Sequence, residues 1–193
     1  MKIIYEEYSA EEIIPVREYL KNKKLKKYFN RETEASIVAL SRLTEGIDLN
    51  EDTPFYYALG AIEYSIKSVA EDCLDESGNF SNYLFLHKSY GNVSPLRQLR
   101  YLQNMPLSFI SLEFNLRGDN AVVYSSAISL INCVLASVPN KEILIGASKG
   151  YFDGSVEVGF ALLKKEDISN CNIKDKNIDA ISLFKDGILE NCK

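Results

Sequence analysis

Residues 104–130, NMPLSFISLEFNLRGDNAVVYSSAISL, constrain the fold more than any other stretch of this chain. They read as a helix, a turn at Arg117-Gly118-Asp119, an apolar strand at Ala121–Tyr124 and a helix over 126–137. A strand that feeds a helix almost without a spacer belongs to a layered α/β protein.

The remaining elements extend that pattern. Residues 1–8 alternate loosely and predict an edge strand. Ser9 and Glu12 form a capping pattern that predicts helix over 10–28, around Pro15. Helical spacing runs over 33–45 and stops at Gly46. Asp52-Thr53-Pro54 predicts the opening of a helix over 54–74, with Phe55, Ala58, Leu59, Ile62, Ile66 and Val69 as one stripe. NYLFLH (82–87) predicts a short buried strand, and 89–93 a loop. Residues 96–116 predict one or two helices, interrupted near Asn104-Met105-Pro106. Pro139-Asn140 ends the helix that starts at 126. EILIG (142–146) and SVEVGFALL (155–163) predict two more strands around a turn at 150–154, and 177–190 a weak final helix. The expectation is one domain over 1–193, an α/β/α sandwich with a mixed central sheet.

Composition removes several function classes. No apolar run reaches the roughly 18–20 residues of a membrane span, and the acidic start MKIIYEEYSAEE does not read as a signal peptide. The net charge of −5 argues against nucleic acid as a partner. Cys73, Cys133, Cys171 and Cys192 are scattered, so reduced thiols in a cytoplasmic protein are expected, with no metal site. The run Lys21-Asn22-Lys23-Lys24-Leu25-Lys26-Lys27 is a local exception in charge. It reads as a solvated face or as a docking patch for a small acidic protein.

Catalytic kits are scarce. His87 is the one histidine, at the end of a predicted strand, where structural histidines are common. No G-x-S-x-G, P-loop or G-x-G-x-x-G occurs, and no cofactor is expected.

Residues 94–130 resemble the N-terminal half of β-ketoacyl-acyl carrier protein synthases, the ketosynthases of fatty acid and polyketide assembly. The family pattern runs SP-F, NM, a helix, FGLRGP, an apolar strand, then TAC. This chain has Ser94-Pro95-Leu96, Asn104-Met105, Phe114 to Asn120 (FNLRGDN), and Val122-Val123-Tyr124-Ser125-Ser126-Ala127, in register without a gap. EILIGAS resembles the family's strand ending in a Gly-Gly-Ala turn, and SVEVGFALLKKE its GEGAG strand. The resemblance spans about residues 35–166.

The resemblance implies half of a thiolase-like fold. It puts Ala127 where the family has its nucleophilic cysteine, and no second histidine is present. It implies a non-catalytic partner subunit, similar to a short chain length factor, that pairs with a full-length ketosynthase of a type II or aryl polyene-like pathway. An acyl carrier protein would be met through that complex. Ala121, Val122, Val123, Tyr124, Asn104 and Met105 would form the interface, with about 2,000 Å² or more buried. Leu96, Arg97, Leu99 and Phe109 would border the mate's acyl tunnel. The alternatives are a standalone carrier-protein-binding or scaffold module without enzymatic activity, and a divergent hydrolase using Ser126 or Ser129.

Overall fold

The computed structural model describes residues 1–60, 72–89, 102, 104–138, 141–171, 173 and 175–192. Five strands form one mixed sheet in the order β1-β5-β4-β2-β3. They are β1 (Lys2–Tyr8), β2 (Phe55–Leu59), β3 (Asn120–Tyr124), β4 (Glu142–Gly150) and β5 (Val156–Lys164). β2 pairs in parallel with β3 and β4, whereas β5 runs antiparallel to both β4 and β1.

Helices cover both faces, giving the expected α/β/α layering. On one face lie α1 (Val16–Tyr19), a 3₁₀ turn at Lys23–Tyr28, α2 (Arg31–Leu43) and, after the single turn α3 (Asn82–Leu84), α4 (Met105–Phe114). Their apolar side chains join Phe55, Tyr57, Leu59, Leu144, Val158 and Phe160 of the sheet. On the other face α5 (Ala127–Ala136) and α6 (Ser182–Lys185) pack on Tyr56, Ala58, Ile143, Ile145, Ala161 and Leu163. The central strand β2 is buried along its whole length, as a parallel strand covered on both sides requires.

Two glycines permit close packing. A Cβ on Gly146 would sit 2.4 Å from the Phe160 ring. Its absence lets Phe160 lie beside Tyr57, with ring centroids 6.0 Å apart. A Cβ on Gly118 would meet the Asp52 carbonyl oxygen at 2.5 Å, so the turn into β3 packs directly on the chain entering β2.

Several elements depart from expectation. Phe55–Leu59 is a strand, not the start of a helix over 54–74, and residues 61–71 of that stretch lie outside the described ones. An unbroken apolar run carries no periodicity that separates a buried strand from a buried helix. NYLFLH is not a strand. Ser81 Oγ accepts from the Leu84 amide at 3.3 Å, starting α3 and a π turn at Phe85–Ser89, with Tyr83 and Leu86 exposed. The helix over 10–28 breaks up. Pro15 lacks an N–H and disfavours helix before it, Leu20 is extended, and Asn22 caps a separate 3₁₀ turn. The 177–190 helix shortens to Ser182–Lys185, with a 3₁₀ turn at Glu190–Cys192. Pro139 and Asn140 lie outside the described residues.

The cysteines are also corrected. Cys171 and Cys192 form a disulfide, with Cα atoms 4.4 Å apart, while Cys73 and Cys133 are not disulfide-bonded. The tail folds back on the sheet, which brings together two cysteines 21 residues apart. No helix among the described residues is long and apolar enough to cross a membrane.

Candidate functional site

The junction between β3 and α5 is held by the tail of the chain. Ser125 sits at φ 48°, the left-handed region that a residue with a Cβ seldom adopts. This bend turns the chain from the sheet edge directly into α5. Ser126 is the N-cap, and its hydroxyl oxygen accepts from the Ser129 amide at 3.3 Å.

Residues 178–180 run antiparallel to this turn. The Ala127 amide donates to the Ile178 carbonyl at 3.0 Å, and the Ala180 amide donates to the Ser125 carbonyl at 2.8 Å. Asp179 anchors the crossing. Its Oδ2 accepts from Ser125 Oγ at 3.0 Å and from Lys149 Nζ at 2.8 Å, and its Oδ1 accepts from the Ile181 amide at 3.2 Å. Lys149 reaches it from the end of β4, its Nζ also lying 5.5 Å from the Tyr151 ring centroid.

The chemistry open to this site is limited. Ala127 is fully buried among Leu130, Ile131 and Val134 and has no nucleophilic atom. Its amide, the group that would hold an oxyanion at a helix start, is already donated to Ile178. Ser126 Oγ is engaged as a cap. The free thiol nearest in sequence, Cys133, has its pKa pushed up by burial and by the Asp119 charge, so it is a poor thiolate. His87 lies on an exposed π turn with its ring 4.3 Å from that of Tyr83. Among the described residues no group of three or more His, Cys, Asp or Glu side chains is arranged to hold a metal ion.

The expected interface residues divide between a sheet edge and a helix start. β3 is an outer strand of the sheet. The Asp119 carbonyl accepts from the Phe55 amide, and the Ser125 amide donates to the Leu59 carbonyl, so odd-numbered backbone groups face β2. By strand alternation the N–H and C=O groups of Asn120, Val122 and Tyr124 face outward. Among the described residues no strand pairs with that side. The Tyr124 side chain is 55% exposed. Ala121, Val122 and Val123 are half-buried, packing on the sheet layers. Asn104 is the exposed N-cap of α4, and Met105 follows it half-buried.

Of the expected tunnel residues, Leu96, Arg97 and Leu99 lie outside the described ones. Phe109 is buried, its ring centroid 5.0 Å from Phe29 and 6.4 Å from Tyr28.

Buried carboxyl groups escaped sequence reading, Glu32 among them. Glu32, in the first turn of α2, accepts from Ser148 Oγ at 3.2 Å and from the Gly150 amide. Burial dominates and pushes its carboxyl up to about 7. Beside it, Ser36 Oγ and Tyr57 OH share a hydrogen bond of 2.8 Å. An acidic residue in a first helical turn is ordinary in sequence, so nothing marked Glu32 as buried. No protein-family model matches this chain, and no curated protein is detectably similar to it.

Proposed function

We propose that this protein is a non-catalytic partner subunit of a ketosynthase, similar in role to a short chain length factor. It would pair with a full-length ketosynthase through the outer edge of β3 and help to shape the mate's acyl tunnel. The single observation that carries the reading is Ala127. The position that resembles the family's nucleophile holds a methyl group, and the chain's own Ile178 carbonyl takes its amide. A working nucleophile needs both an attacking atom and space for an acyl group, and neither is found at Ala127.

The β3 edge supports the pairing half of the proposal. Ladder groups beside the exposed Tyr124 that no strand among the described residues takes up would admit another strand, and strand-to-strand pairing closes such an edge. On this reading the mate supplies the cysteine, the histidines and the acyl thioester, and the carrier protein is met through the complex. Leu96, Arg97, Leu99 and Phe109 would bear on tunnel length.

Two measurements test it. The purified chain, incubated with a mass-tagged acyl-carrier thioester, should carry no adduct on the peptide spanning 125–129. An adduct there overturns the non-catalytic reading. Co-expression with a full-length ketosynthase should give a one-to-one complex by light scattering. Persistent failure to co-purify with any ketosynthase encoded beside it favours the scaffold alternative.

A further inference from the structure

We propose that the cleft where α2 and α4 end binds a small organic cation, an ammonium group on a short alkyl stem. The cleft has a volume of about 370 Å³, within the range of small-molecule sites. Thr44, the C-cap of α2, lines it, and so do Glu113 and Phe114 from the last turn of α4.

Glu113 marks the site. It is only 4% exposed, and its Oε1 accepts from the Lys21 backbone amide. Its Oε2 takes no hydrogen bond among the described residues and opens on the cleft. No Lys or Arg among the described residues forms an ion pair with this carboxylate. Buried charges are normally paired, and a carboxylate in the last turn of a helix meets the negative end of the dipole. α4 has no basic residue in that turn to offset it.

The surroundings add to the negative field. The C-terminal end of α2 lies at the same cleft, and Asp48 brings a second carboxylate. Arg42, the basic residue in the last turn of α2, is turned away to Glu6, at 2.7 Å. Lys21 also lines the cleft, but its Nζ lies over the Phe114 ring, 6.0 Å from the centroid, and not on Glu113.

The walls select the kind of cation. Tyr19 and Phe114 bring aromatic rings and Leu49 an aliphatic side chain, partners for an ammonium and its alkyl stem. A hard divalent ion needs about six oxygen ligands or more. Among the described residues no group of three or more His, Cys, Asp or Glu side chains is arranged to hold a metal ion. The cleft involves neither Ala127 nor the β3 edge, so the inference stands apart from the ketosynthase reading.

The test titrates n-butylammonium into the isotope-labelled full chain and follows the amide NMR signals of Lys21 and Asn115. Saturable shifts at both are expected. Glu113→Gln keeps an acceptor for the Lys21 amide and removes the charge, so it should weaken binding about tenfold or more. Asp48→Asn should weaken it about two- to fivefold, because Asp48 is exposed and screened. Glu45→Gln, an exposed change of equal charge outside the lining, should alter affinity less than about twofold. n-Butanol, of the same shape without the charge, should bind about tenfold more weakly or worse. If Glu113→Gln misfolds by circular dichroism, Asp48→Asn and the butanol comparison decide. Absence of saturable shifts below about 20 mM amine overturns the proposal. So does wild-type affinity in Glu113→Gln, equal affinity for butanol, or tighter binding of calcium than of the amine.

Discussion

Lys149 Nζ lies 2.8 Å from Asp179 Oδ2, and this pair joins the end of β4 to the tail that crosses the start of α5. Both side chains are about one-quarter to one-third exposed, so solvent weakens the pair, but the same carboxylate also accepts from Ser125 and the Ile181 amide. Asp179→Ala should therefore lower stability by about 1–3 kcal/mol. Amide hydrogen exchange at Ala127 and Ala180 should accelerate more than exchange in β4. Unchanged protection at Ala127 would show that the crossing is held without Asp179.

The backbone alternation of β3 separates two proline variants. Val122 presents its N–H to the outer edge, whereas Val123 presents its own toward β2. Val123→Pro should unfold the chain or cost about 3 kcal/mol or more. Val122→Pro should leave the monomer folded and abolish co-purification with the mate. If Val122→Pro assembles at wild-type affinity, the interface lies elsewhere.

Phe109 fills the space between α4 and the turn that carries Phe29. Phe109→Ala should cost about 3–5 kcal/mol in urea unfolding, as for other buried aromatic truncations. Phe109→Leu should cost less and leave a complex intact enough for product analysis by chromatography. A shift toward longer products would tie the ring to the acyl tunnel. An unchanged distribution would confine it to the core.

Glu32 makes stability depend on pH in a stated direction. Its carboxyl titrates at about 7 in the fold against an ordinary 4.5. Between those values the folded state holds a proton that the unfolded chain has released. Stability therefore falls as pH rises through that window, and the loss is complete above about pH 7. Glu32→Gln keeps an acceptor for Ser148 without the buried charge. It should raise the melting temperature at pH 8 and change it little at pH 5. An equal effect at both pH values would show that burial of this carboxyl does not control the slope.

Legibility followed the range of each interaction. Val123 and Leu130 lie in a strand and a helix that follow one another closely, so β3 and α5 were readable directly, whereas the left-handed bend at Ser125 was not. Tyr56 and Tyr57 face opposite layers of a fully buried strand, which leaves no polar side to set a period. Tyr83 and Leu86 look like core residues in sequence and stand in solvent. The Ser125–Asp179 contact spans 54 residues and has no local signature. It appears only once the tail is packed on α5.

The two borders of the sheet differ in what they present to a neighbouring molecule. β1 carries Lys2, Glu6 and Glu7 along its length, with Glu6 tied to Arg42, whereas β3 reads Asn-Ala-Val-Val-Tyr without a charge. Charges along a border discourage a further strand and their lack permits one. A molecule with one guarded and one unguarded border ends a stack of sheets instead of passing it on. On the proposed reading, an assembly built through β3 would still present the charges of β1 at its far border, where they disfavour a further strand.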